Sequence, residues 1–372
     1  INMSSFQANR FKVRLYQIAL KLANKIQTLP TQLTPPPFRL LQMSSAFWQS
    51  RALYVATRLQ IAETLAENSL TTEDLAKQLN LHEDHLYRLL RMLAAFGIFQ
   101  ETTARSFTNS KTSHYLRADH PQSIRAMILL HNSPEMSVPW FEALEDSLRT
   151  GKIPFKQQYG ADLFAYLDTH PDFAQLFANA MSSVEHLTGT AFLQDFNWSA
   201  FSHLIDIGGS TGHKTLSILQ AHPQLTALVF DRPQVIAQAN WQGIFPAEVL
   251  ARMSLQGGDM FTSLPPAETD QDLYVFFAIF HALSEAQSQQ VLANLKIACA
   301  QHRPWVLIGE VVAAESQLDS TIASFDMQML MGTQGRERTL SEWQSLFAGS
   351  GFSLVEMINS RSFAKLLLLR RN

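Results

Sequence analysis

Acidic residues are missing from the first 62 positions of this 372-residue chain. Eight basic residues fall there (Arg10, Lys12, Arg14, Lys21, Lys25, Arg39, Arg51 and Arg58), which leaves 21 basic against all 32 acidic residues in the remainder, a body of net charge −11. A body that acidic repels a phosphate backbone, which argues against nucleic acid as its ligand. Cysteine is nearly absent: Cys299 stands alone, which excludes an internal disulfide framework and a cysteine-rich metal site and suits a reducing compartment. No apolar run nears the ~18 to 20 residues that span a bilayer, and no secretory signal pattern precedes the folded part, so the expectation is a cytoplasmic protein. What the chain does have is 46% hydrophobic residues, enough for a full core, and a length that predicts two or three domains.

The most informative stretch is Leu204-Ile205-Asp206-Ile207-Gly208-Gly209-Ser210-Thr211-Gly212. An apolar run breaks into small residues and then takes up helical spacing from His213 through Leu219, the pattern of strand, tight turn and helix. Such a turn lets backbone N–H groups and a helix N-terminus approach a ligand. At the end of the next apolar run stands Asp231, placed to accept both ribose hydroxyls of a nucleoside. At the third, Gly258-Asp259-Met260-Phe261 offers a carboxylate for an adenine amino group and two apolar side chains, Met260 and Phe261, to pack on the ring.

In chain order, Phe11, Leu15, Ile18, Leu22 and Ile26 make an apolar stripe beside a basic one over residues 5 to 28, an amphipathic helix ended by Pro30 and Pro35-Pro36-Pro37. It reads first as a helix laid on its own or a partner chain, and second as a membrane-surface segment. Helices follow over Leu40 to Leu65, from Thr71 to Leu79 and through Leu86 to Gly97, and a hairpin after Ile98 completes a winged helix-turn-helix. Its would-be recognition helix opens with Glu83 and Asp84, which phosphates would repel, so burial in a dimer is the preferred use. Residues 122 to 190 read as helices rich in aromatic and Met side chains. The last 180 residues alternate strand and helix: strands at His203 to Ile207, Leu225 to Phe230, Arg252 to Gln256, Leu273 to Phe277, Trp305 to Val311, Ser353 to Ile358 and Phe363 to Leu369. The first five, linked by helices, predict a parallel sheet, and the last two a hairpin with one antiparallel strand.

In such a sheet ligands lie at the C-terminal ends of strands one and four. Strand one ends in the glycine turn and strand four at Phe280-His281, so topology puts His281 beside whatever the turn binds, as candidate general base for a hydroxyl proton. Glu310, at the end of strand five, and Glu337, in Gly335-Arg336-Glu337-Arg338-Thr339, are carboxylates able to fix the imidazole's tautomer. Surface placement or arginine pairing is the competing expectation for both.

Together, Asp206 to Gly212, Phe230-Asp231-Arg232-Pro233, Gly258 to Phe261, His281 and Gly335 to Thr339 resemble the class I S-adenosylmethionine-dependent O-methyltransferases of the caffeic acid and hydroxyindole type, a group that also methylates bacterial natural products. The resemblance runs from about residue 40 to the C-terminus. It implies an α/β fold: a seven-stranded Rossmann-like methyltransferase domain with an all-helical winged-helix N-terminal dimerisation domain. The segments would be a basic extension and Pro-rich linker (1–37), the winged-helix domain (38–121), a helical connector contributing to the substrate pocket (122–190) and the methyltransferase domain (191–372). It further implies S-adenosylmethionine as cofactor, with S-adenosylhomocysteine as product and no metal, and a homodimer in which each chain helps wall its partner's pocket. Asp231 would bind ribose, Asp259 and Met260 the adenine, and Gly208 and Gly212 the methionine end, with Asp206 and Phe261 also among the cofactor-binding residues. His281 would deprotonate a hydroxyl of an aromatic or polycyclic small molecule, with Glu310 and Glu337 flanking it and Phe177, Met181 and Met329 lining the acceptor pocket. Three departures stand out. Ser210 replaces the middle glycine of the turn and would crowd the cofactor, Phe277 stands where plant members usually have a cofactor-contacting lysine, and Ala282 replaces the aspartate that often follows the histidine. Two alternatives compete: a cofactor-binding relative doing other chemistry on a natural product, and a non-catalytic dimeric winged-helix regulator.

Overall fold

The computed structural model describes residues 6–188 and 190–372; the expected helix start at residue 5 lies outside them. Two compact units result, one of Leu22–Leu187 and one of Ile1–Lys21 with Thr188–Asn372.

In the first unit, the helices Pro36–Arg58, Ile61–Leu65, Thr72–Leu79 and Glu83–Ala95 enclose a core of Ala56, Ile61, Leu75, Leu90, Leu93 and Phe107. Thr71 caps its helix as expected, its side chain accepting from the backbone N–H of Asp74 at 3.1 Å. The unit is not wholly helical. Strands β1 (Leu70–Thr71), β2 (Phe99–Thr103) and β3 (Ser106–Asn109) form an antiparallel sheet in the order β1-β3-β2, the wing that the hairpin signal after Ile98 predicts. The basic N-terminal helix is real but set further along the chain than expected, Arg10–Leu33, and runs through Pro30. Proline removes one helical N–H bond, and the stop falls instead at Pro35, with Pro36 and Pro37 opening the next helix, where no such donor is needed.

The second unit is built on seven strands: β4 (His203–Ile207), β5 (Thr226–Asp231), β6 (Met253–Gly257), β7 (Asp272–Phe277), β8 (Trp305–Glu310), β9 (Phe352–Asn359) and β10 (Lys365–Arg371). Their order is β6-β5-β4-β7-β8-β10-β9. The first five run parallel, and β10 is antiparallel to both β8 and β9. Both faces are covered, which is why the strands read as continuous apolar runs: Tyr274 and Phe276 pack with Val291, Leu295 and Trp343 on one side, Leu273 and Val275 with Leu216, Leu219 and Trp198 on the other. One expected linker is absent: no helix joins β6 to β7. The segment between them carries Pro265-Pro266, which cannot sit inside a helical ladder, and is pinned by the Tyr274 hydroxyl donating to the Pro265 carbonyl at 2.6 Å. Chain order reverses on the two sides of β4, so a crevice opens where β4 and β7 end.

Candidate active site

The glycine turn is held by its neighbours before any ligand is considered. Gly208 donates its N–H to the Phe230 carbonyl at 2.8 Å and adopts φ +70°, and a Cβ there would fall 2.3 Å from Ile279 Cδ1. That contact ties the turn to the segment that carries His281. Gly212, at φ +88°, is packed against Met253 and precedes the helix His213–Ala221. Asp206 lies buried beneath the turn and accepts from the Thr215 hydroxyl; a Cβ at Gly209 would strike its carboxylate. These residues thus shape the loop that a ligand meets. The serine that replaces the middle glycine takes the left-handed conformation itself, at φ +55°, and its side chain belongs to an exposed residue.

Asp231 caps β5 and joins the turn to it. Oδ2 accepts from the Ser210 N–H at 2.8 Å and Oδ1 from the Arg232 N–H at 2.7 Å. Each carboxylate oxygen retains a lone pair, the acceptor capacity that two hydroxyls need. Burial raises the Asp231 pKa above the usual aspartate value, against the pull of those two N–H groups. At the β6 tip, Gly258 donates to the Asp231 carbonyl at 2.9 Å, Asp259 is exposed with Oδ1 accepting from the Phe261 N–H at 2.9 Å, and Met260 and Phe261 are half-buried against the core. A cleft with a diol acceptor, a second exposed carboxylate and two apolar side chains fits the polarity of S-adenosylmethionine's nucleoside.

The third part is the imidazole. Beyond β7 the chain turns through Ala278 at φ +53°, a rare conformation for a residue with a Cβ, into the single turn Phe280–Ala282. Glu310 ends β8 fully buried, and its Oε1 accepts from the N–H groups of Phe280 (2.8 Å) and His281 (3.3 Å). Glu337 places Oε1 2.9 Å from His281 Nδ1, while Glu310 Oε2 stands 3.9 Å from the same nitrogen. Glu337 is itself fixed through its backbone N–H, which donates to Asp326 at 2.7 Å. Burial pulls the His281 pKa down, but the charges of Glu310 and Glu337 outweigh it, so the imidazole protonates more readily than an ordinary histidine. Burial pushes Glu310 up, with Glu337 adding to the push and His281 opposing it. The surface expectation for both glutamates is therefore overturned.

Sequence reasoning singled out the motif Gly335 to Thr339 for Glu337 alone, yet its other residues hold the site too. A Cβ at Gly335 would lie 1.9 Å from the His281 carbonyl oxygen. Arg338 is buried and donates to the Phe280 carbonyl at 2.8 Å and to Leu283 and Ser288 at 3.2 Å. Phe325 lies tilted against the His281 ring at 5.7 Å, and Met329 follows one turn later on the helix Ser320–Gly332. At Phe277, the Lys214 ammonium sits over the ring, 4.6 Å from its centroid. Phe177 and Met181 lie one turn apart on the helix Pro171–Thr188 of the other unit. Among the described residues no cluster of His, Cys, Asp or Glu could hold a metal, and no helix is long and apolar enough to cross a membrane.

A family model described as an O-methyltransferase domain matches residues 141–353, and one described as an O-methyltransferase dimerisation domain matches 41–119. Phenazine O-methyltransferase PhzM of Lysobacter antibioticus is 31% identical over 323 residues, 87% of this chain and 93% of that protein. Phenazine-1-carboxylate N-methyltransferase of Pseudomonas aeruginosa is 31% identical over 339 residues, 89% of this chain and 96% of that one. The solved structure of LaPhzM superposes with a TM-score of 0.83 at 29% identity, covering 91% of this chain and all of that one. The chain belongs to the O-methyltransferase family: it is an S-adenosylmethionine-dependent methyltransferase that carries the family's dimerisation domain.

Proposed function

We propose that the enzyme methylates a hydroxyl of an aromatic or polycyclic small molecule, with His281 as general base. The observation that carries this is the 2.9 Å approach of Glu337 to His281 Nδ1. A carboxylate on that nitrogen keeps a proton there, which leaves Nε2 as the basic position. Nε2 takes the proton of the acceptor hydroxyl, and the imidazolium that forms is stabilised by Glu337 and Glu310. When bound, S-adenosylmethionine supplies an electrophilic methyl group on a sulfonium centre. Asp231 accepts the ribose hydroxyls, Asp259 the adenine amino group, Met260 and Phe261 pack on the ring, and the turn from Asp206 through Gly208 and Gly212 takes the methionine end. Met329, on the helix that carries Phe325, faces the acceptor in this unit, and Phe177 and Met181 are the acceptor-contacting candidates of the other unit. The phenazine in both relatives' names supports a flat polycyclic acceptor. A homodimer is supported by the dimerisation domain and by the exposed apolar residues Phe38, Leu41, Phe47 and Trp48 of the helix Pro36–Arg58.

The test is His281→Ala, assayed against a panel of phenols, phenazines and aryl amines with cofactor binding followed by calorimetry. Turnover should fall at least ~10² with cofactor affinity unchanged. Unchanged turnover removes His281 as base, and transfer to amines alone moves the acceptor from oxygen to nitrogen.

A further inference from the structure

The basic N-terminal helix plays no part in the chemistry above, yet its first turns are firmly held. Phe6 packs among Phe196, Phe201 and Trp305, Val13 is buried, and Gln7 makes a two-way pairing with Asn359, donating to its carbonyl and accepting its N–H, each at 2.8 Å. The helix therefore lies against the start of the β9–β10 turn and of β10. Between them is a cavity of about 530 Å³ whose lining includes Gln7, Arg10, Arg14, Lys21, Asn359 and Lys365.

Four of the eight residues that line it are cations, Arg10, Arg14 and Lys21 exposed and Lys365 half-buried, and among the described residues none of the four makes an ion pair with a carboxylate. Lys365 is half-buried, its ammonium reaching the Asn359 side-chain carbonyl. Burial and the nearby charge of Lys21 both lower its pKa. Arg361, in the same unit, is by contrast paired with Asp195 at 2.9 Å. Guanidinium and ammonium groups converging with side-chain amides on one cavity match an oxyanion with several acceptor oxygens, and the absence of aromatic lining leaves nothing to read a base.

We propose that this cavity binds a phosphate-bearing anion of two or more charges, at a site separate from the methyl-transfer centre. The anion is either a free phosphate ester or a lipid headgroup; Phe11, Leu15 and Ile18, exposed on the adjoining face of the same helix, make the second source worth an arm of its own.

The full-length protein is titrated with inorganic pyrophosphate by calorimetry at low ionic strength, and in parallel sedimented with phosphatidylcholine vesicles with and without phosphatidate. Binding to either probe is expected, weakened at least ~10-fold by Arg14→Glu, with S-adenosylmethionine affinity unchanged and no weakening by Lys111→Glu, an exposed control. Pyrophosphate binding identifies the free anion, and phosphatidate-dependent sedimentation alone identifies the headgroup. Should Arg14→Glu fail to fold, Lys21→Gln at an exposed position carries the same test. Binding of neither probe, or equal weakening by Lys111→Glu, overturns the proposal.

Discussion

His281 Nδ1 and Glu337 Oε1 are 2.9 Å apart, although 56 residues of chain separate them. The pair makes the enzyme's pH response a property of two residues together. Because the folded imidazole's pKa lies above the ordinary ~6.5, the stability the ion pair adds is complete below that ordinary value and is lost as pH rises through the folded one. Activity runs the other way, since a base must be neutral. The kcat/KM profile should climb through an apparent pKa above that of a free histidine. Glu337→Gln should move the rising limb to lower pH and cut turnover at least ~10², because an amide can donate to Nδ1 and hold the proton on the wrong nitrogen. A limb that stays in place would show that another group titrates.

Gly335 is closed to any side chain, with the His281 carbonyl oxygen 1.9 Å from where a Cβ would stand. Gly335→Ala must displace backbone on one side or the other. A loss of about 1 to 3 kcal/mol in thermal unfolding is expected, with turnover falling more than tenfold as the imidazole shifts and calorimetry still detecting the cofactor. An alanine variant with normal turnover would mean the two segments are not in contact.

Asp231→Asn tests the β5 tip. An asparagine carbonyl can accept from Ser210 or from Arg232 but not both, its NH₂ sets a donor against the other N–H, and the charge is gone. Cofactor affinity should drop by roughly 10- to 100-fold, the worth of a hydrogen bond to a charged group. Equal affinity in titration calorimetry would assign the ribose elsewhere.

Ser210 provides a sharper measurement than its sequence position suggests. A left-handed serine costs ~1 to 2 kcal/mol, and glycine's extra backbone freedom returns ~0.5 to 1. Ser210→Gly should therefore unfold at the same temperature or slightly higher, and bind cofactor at least as tightly. A tenfold loss of affinity would show that the hydroxyl itself is a ligand contact.

Much of this was readable from residue order. The strand–turn–helix at Leu204 to Leu219, the acid at the next strand tip, the capping pair Thr71 and Asp74 and the antiparallel final hairpin all follow from local rules of spacing and capping, and each is found. Local rules failed where the outcome depended on environment. Pro30 sits inside a helix that continues to Leu33 despite the lost N–H bond, and β6 passes to β7 without a helix along a segment that holds Pro265 and Pro266.

The sequence by itself determined the order of the strands' chemistry: which tip carries the glycine turn, which the aspartate, which the histidine. Period and turn residues act within a few positions and need no distant partner. Only the tertiary structure decided the electrostatics. That Glu310 and Glu337 are buried on one imidazole nitrogen, that Lys214 stands over Phe277, and that Arg10, Arg14, Lys21 and Lys365 face one cavity all arise from segments far apart in the chain. A charge's effect depends on its distance to other charges and on the water excluded between them, and neither quantity is written in the order of residues.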